Sequence, residues 1–135
     1  MTGTKYFLLV DDDQDDRDFF REAILEIYPV SEIQEAKDGV HALELLDSNL
    51  LRLPDVIFLD LNMPRMDGKG FLARLKCSIL LQHIPVFVFT TSSDPVDREE
   101  SLRLGAERFF TKPCEFGELC NHVQAVFDLV FLMPE

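Results

Sequence analysis

The chain has 135 residues, 47% hydrophobic and 28% charged, with 25 acidic against 13 basic side chains and a formal net charge of −12. That length suffices for one domain burying roughly two-thirds of the surface its unfolded form exposes, and the composition excludes a disordered or fibrous protein. The negative field repels phosphate backbones and anionic lipid, which excludes DNA and the membrane as main partners and favours cations and basic protein surfaces.

The N-terminal MTGTKYFLLVDDD has a short apolar run that meets an acidic cluster at once, unlike a signal peptide. No stretch approaches the ~18 apolar residues of a membrane helix, so a cytoplasmic protein is expected. Tyr6 to Val10 reads as a first strand. Asp13 or a neighbour then caps a helix carrying Phe19, Phe20, Ala23, Ile24 and Ile27, which Pro29 stops. Val30 to Ala36 reads as a second strand, and Asp38-Gly39 turns the chain into a helix with Ala42, Leu43, Leu45 and Leu46. Asp55 to Asp60 is nearly all apolar, as a strand covered on both faces of a parallel sheet must be. A helix from about Gly68 to Leu81 follows, then a second buried strand, Pro85 to Thr90. Ser93-Asp94-Pro95 is an N-cap and first-turn signature for a helix ending near Gly105. Arg108 to Thr111 makes a short fifth strand, and about Glu115 to Leu132 a last helix. The cysteines, Cys77, Cys114 and Cys120, form no C-x-x-C pair and are odd in number, which fits reduced thiols.

Five strands alternating with five helices, without a linker or composition break, predict a single doubly wound α/β domain over residues 1–135, with no output domain. Such sheets bind ligands outside the carboxyl ends of their strands. Those ends carry Asp11, Asp12, Asp60, Thr90 and Lys112. Carboxylates brought together repel until a proton or metal ion relieves them, and hard oxygen ligands in a partly open site suit Mg²⁺. Helix capping accounts well for Asp13 to Asp16, but it gives no reason for an apolar strand to finish at Asp60. Thr90 and Lys112 bring a hydroxyl and an ammonium to the same crevice, where they would stabilise an arriving phosphoryl group.

The segments LLVDDDQDD, DVIFLDLNMPRMDG, PVFVFTTS and FFTKP, in that order and spacing, resemble the receiver domain of bacterial two-component response regulators in its stand-alone, chemotaxis-regulator-like form. The resemblance covers essentially the whole chain. It implies a flavodoxin-like strand order 2-1-3-4-5 and, for function, acceptance of a phosphoryl group on Asp60 from a sensor histidine kinase or histidine phosphotransfer protein. By the same resemblance, Asp11, Asp12, Asp60 and the backbone carbonyl of Asn62 hold Mg²⁺, and Thr90 and Lys112 bind phosphoryl oxygens. Asn62 and Ser92 tune loss of the phosphoryl group to water, and the bond before Pro113 is cis. Gly68 matches the loop after the phosphoacceptor. Self-phosphorylation and autodephosphorylation would be the chain's only chemistry. Its output would pass to a protein target through the strand 4 to helix 5 side.

Phe109 occupies the position of the family's aromatic switch, coupled to Thr90, yet plain strand alternation also explains one ring of Phe109 and Phe110 in the core and the other against a helix. A phenylalanine has no hydroxyl with which to form a new hydrogen bond. The last helix is apolar on more than one face, through Val123, Val126, Phe127, Leu129, Val130, Phe131 and Leu132. This suits either pairing with a second copy or partner, or folding back over its own core. His41, His83 and His122 share no spacing and receive no role. Asp11 and Asp13 have the two-carboxylate spacing of a haloacid-dehalogenase-type phosphatase, but Asp15 stands where such enzymes carry Thr or Val. A phosphorylation-independent binding module would not need all five signature residues. A Ca²⁺ loop of the EF-hand kind would need a glycine and a distal glutamate that are missing here.

Overall fold

The computed structural model describes residues 4–131. Five strands and five helices alternate along the chain: β1 (Lys5–Val10), α1 (Gln14–Ile27), β2 (Ser31–Ala36), α2 (Gly39–Ser48), β3 (Val56–Leu59), α3 (Gly68–Lys76), β4 (Val86–Thr90), α4 (Pro95–Arg103), β5 (Arg108–Thr111) and α5 (Phe116–Phe131). All strand pairs are parallel, in the order β2-β1-β3-β4-β5. The doubly wound sheet and its 2-1-3-4-5 order are therefore as expected. Leu132, assigned to the last helix from its sequence, lies outside the described residues.

Alternation along the strands divides the core into two layers. Leu8, Val10, Ile57, Leu59, Val86, Val88 and Phe109 point to one face, where Ala42 and Leu46 of α2 and Phe71, Leu72 and Leu75 of α3 cover them. Phe7, Leu9, Phe58, Phe87 and Phe89 point to the other, under Phe20, Ala23 and Ile24 of α1 and Leu119, Val123, Val126 and Phe127 of α5. The excess apolar side chains of α5 join this second layer. Leu129, Val130 and Phe131 are half-buried against it, and Phe131 meets the rings of Phe7, Tyr28 and Phe127.

Four helices open on an aspartate whose side chain accepts a backbone N–H of the first turn: Asp13, Asp38, Asp67 and Asp94 for α1 to α4. Because each of these helices follows a parallel strand, the caps and the helix N-termini gather at the carboxyl edge of the sheet. Part of the chain's acidity is thus spent on orphan N–H groups.

The largest departure from the expected boundaries is at α3, which stops at Lys76 rather than Leu81. The next core-facing position, Ser78, uses its hydroxyl to accept the Leu81 N–H at 3.3 Å, a local alternative to the helix. Ile79 and Leu80 are exposed, so no burial rewards a further turn. Lys76 Nζ then donates to the carbonyls of Gln82 and Ile84 at 3.0 and 2.9 Å and closes the connection to β4. Among the described residues no helix is long and apolar enough to cross a membrane.

Candidate functional site

Sheet pairing carries two carboxylates one residue past their strands. The Asp60 N–H donates to the Val10 carbonyl at 2.9 Å and the Asp11 N–H to that of Ala36 at 3.0 Å, which sets Asp60 beside Asp11 at the carboxyl edge. Both are buried. Asp12 is exposed, and oxygen atoms of Asp11, Asp12 and Asp60 all lie within 4.8 Å of one another. Three hard oxygen donors at that spacing, open on one side, fit a divalent cation.

Lys112 enters from the end of β5, its backbone N–H donating to the Thr90 carbonyl at 2.8 Å. Its Nζ donates to Asp11 Oδ2 and Asp16 Oδ2, each at 2.7 Å, and stands 3.7 Å from Asp60 Oδ2. The other Asp60 oxygen, Oδ1, accepts the Leu61 N–H at 2.9 Å. Thr90 is fully buried. The five signature residues, dispersed over a hundred positions of sequence, therefore converge on one crevice.

Its electrostatics follow from burial in an acidic environment. Burial pushes the Asp11 carboxyl up to about 6, against the hydrogen bonds from Lys112 and the Asp13 N–H, and the nearby Asp60 charge adds to the rise. Burial raises Asp60 too, with Lys112, the Thr90 hydroxyl and the N–H groups of Asn62 and Leu61 pulling it back. Burial alone would lower the Lys112 ammonium, but Asp11 and Asp16 outweigh it and hold it above its ordinary value. Two carboxylates are thus short of positive charge even with the lysine in place.

The remaining predicted positions lie around this centre. Asn62 is exposed in the loop after Asp60, and Gly68 closes that loop. The Gly68 N–H donates to the Leu61 carbonyl at 2.9 Å, and a Cβ there would fall 2.3 Å from the Asp60 carbonyl oxygen, so only glycine fits. The Ser92 N–H approaches Thr90 Oγ1 at 3.5 Å, while its own hydroxyl turns to α4 and donates to Asp97 Oδ2 at 2.5 Å. Phe109 is buried on the sheet face that carries α2 and α3, in the edge strand that α4 contacts, and Phe110 stacks on Phe89 at 4.6 Å on the opposite face, the arrangement that strand alternation predicts. The bond before Pro113 is not cis: no cis peptide occurs among the described residues. The trans form is the lower in energy even for X-Pro, by about 0.5–1 kcal/mol, and Lys112 reaches its carboxylates with it.

Three contacts escape a reading from sequence. Asp16, assigned there to capping, is a direct partner of Lys112. Arg17 holds the Asp11 backbone carbonyl at 2.6 Å while pairing with Glu35 of β2. Lys69 at the start of α3 binds Asp97 and Glu100 of α4. Helical spacing does place Arg17 and Arg21 on one face, but nothing local names Glu35 as their partner.

A family model for the response regulator receiver domain matches residues 7–124, and the chain belongs to that family. Response regulator PleD of Caulobacter vibrioides is 38% identical over 104 residues, covering 77% of this chain and 22% of PleD, so the chain spans about a fifth of that relative's length. Among solved structures, the phosphorylated cyanobacterial phytochrome response regulator RcpA superposes with a TM-score of 0.88 at 29% identity, covering 98% of each chain. The Mn²⁺-bound form of response regulator Rcp1 superposes with a TM-score of 0.83 at 30% identity, covering 96% of this chain and 97% of Rcp1.

Proposed function

We propose that the protein is a Mg²⁺-dependent phosphoacceptor of two-component signalling, phosphorylated on Asp60 by a histidine kinase or histidine phosphotransfer protein in the cytoplasm. The observation that carries this reading is a buried aspartate at a strand end with a lysine 3.7 Å away and two further carboxylates beside it. That RcpA occurs phosphorylated and Rcp1 with Mn²⁺ supports it.

Asp11, Asp12, Asp60 and the Asn62 carbonyl would hold the metal, which when bound supplies neutralisation of charge on the phosphoryl oxygens. An Asp60 oxygen attacks the phosphorus of a phosphohistidine; the O–P bond forms as the P–N bond breaks, and the imidazole leaves. Lys112, with two of its three N–H donors on Asp11 and Asp16, keeps one for the incoming phosphoryl group, and the Thr90 hydroxyl donates another hydrogen bond. Asn62 and Ser92 leave room for the water that later hydrolyses the acyl phosphate. The resulting change is read by a protein target on the β4 to α5 side, with Thr90 and Phe109 as the switch pair.

Intact-mass spectrometry with Mg²⁺ and acetyl phosphate tests the reading. A labile gain of one phosphoryl group that needs Mg²⁺ and is absent from Asp60→Asn is expected, with a half-life well short of many hours. No gain from acetyl phosphate or a histidine kinase, together with no Mg²⁺ binding, would overturn it.

A further inference from the structure

The loop from Leu61 to Asp67 carries Asn62 and joins the phosphoacceptor strand to α3. Its foot is closed by the Gly68 N–H on the Leu61 carbonyl. Its tip holds Arg65, the one non-glycine residue with positive φ among the described residues, at 63°. A side chain other than glycine persists in that conformation only where its surroundings over-determine it, and such residues gather at functional sites.

Asp38, between β2 and α2, supplies the constraint. Arg65 Nε donates to Asp38 Oδ2 at 2.8 Å and its NH2 group to Oδ1 at 3.2 Å, a two-pronged grip on a carboxylate that is 3% exposed. The adjacent Gly39 N–H donates to the Met66 carbonyl at 3.1 Å, and a Cβ on Gly39 would lie 2.8 Å from that oxygen. The two loops are thus stitched by three hydrogen bonds, and the Arg65 fork is the part that lysine could not reproduce. Capping alone does not require this: Asp38 Oδ1 already accepts the His41 N–H at 2.8 Å to start α2. The charge pairing is felt at the acid, whose carboxyl Arg65 holds below its ordinary value.

We infer that the Arg65–Asp38 pair is a latch that positions the Asn62 carbonyl for the metal, making both positioning residues of the phosphoacceptor site. The inference rests on the Mg²⁺-dependent reading above. Outer-shell partners typically carry 10–100-fold in metal affinity; for one loop-borne ligand the low end applies, about tenfold.

The test compares Mg²⁺ dissociation constants by titration calorimetry, urea midpoints and amide hydrogen exchange for the wild type, Asp38→Asn and Arg65→Gly. Asparagine keeps the helix cap and loses the ion pair, whereas glycine relieves the positive φ and loses the fork. Both variants are expected to bind Mg²⁺ about tenfold more weakly and to exchange the amides of residues 62, 63, 65 and 66 faster. Asp38→Asn, which leaves only the half-exposed Arg65 without its ion partner, should lower the urea midpoint less than Arg65→Gly, which leaves a buried carboxylate unpaired. A merely structural role would move affinity and stability together. Affinities within twofold of the wild type would overturn the latch and leave the phosphoacceptor reading intact. A wild type that neither binds Mg²⁺ nor gains a phosphoryl group would overturn that reading, and exchange rates unchanged by Asp38→Asn would overturn the latch separately.

Discussion

Lys112 and its three carboxylates show how far one residue's surroundings set its chemistry. Asp11 has its folded value near 6 against an ordinary 3.8, so the folded state holds the proton more tightly than the unfolded chain. Its contribution therefore favours folding at low pH, weakens as pH rises from about 4 to 6, and is level above that. The span corresponds to about 3 kcal/mol as an upper bound. Mg²⁺ needs the ionised carboxylate, so its affinity should fall as pH drops below 6, and Asp11→Asn should flatten the pH dependence of metal-free stability in urea titrations. Lys112→Ala strips the cation from a buried pair and should cost about 3 kcal/mol at pH 7. The loss should be smaller at pH 5, where Asp11 carries its own proton. Asp16→Asn, removing a partly exposed partner, should cost no more than about 1 kcal/mol.

Among the elements, the helices differ in what they contribute. α5 and α1 bury aromatic rings against the sheet, and Phe127, 1% exposed, touches Phe7, Tyr28 and Phe131. Phe127→Ala should cost about 3–5 kcal/mol. α4 buries only Ser101, and its place depends on the Asp94 cap, the Lys69 to Asp97 and Glu100 pairs and the Ser92 hydroxyl on Asp97. Asp94→Ala should therefore cost only about 1 kcal/mol while loosening α4 selectively, visible as faster amide exchange there than in α5. An element held by polar contacts beside the site is free to shift when those contacts change. Ser92 links it to Thr90, and the buried Phe109 backbone carbonyl accepts Arg98 of the same helix at 3.3 Å.

At the scale of the molecule, a formal charge of −12 disfavours the compact state through self-repulsion. Raising NaCl from low concentration to about 0.5 M should screen this and lift the urea midpoint. Mg²⁺ at constant ionic strength should add a further rise that Asp12→Asn lacks, since a bound ion stabilises the folded state in proportion to its occupancy.

Most strand and helix boundaries were legible in the sequence because period-2 and period-3.6 patterns, proline stops and aspartate caps are local signals. β5 coincides with its expected bounds, and α1, α2 and α4 begin where Asp13, Asp38 and Asp94 predict. The strand ends also named Asp11, Asp12, Asp60, Thr90 and Lys112 as one crevice, since a parallel sheet must deliver all its carboxyl ends to one edge. What the tertiary structure alone decided are the pairings between elements distant in sequence: Asp16 on Lys112, Arg17 on the Asp11 carbonyl, and Arg65 on Asp38. The early stop of α3 combines the two scales, a local Ser78 hydroxyl contact and the exposure that the fold gives Ile79 and Leu80. Capping and periodicity act within a few residues, whereas the partner of a long charged side chain depends on which loops the fold brings within its reach.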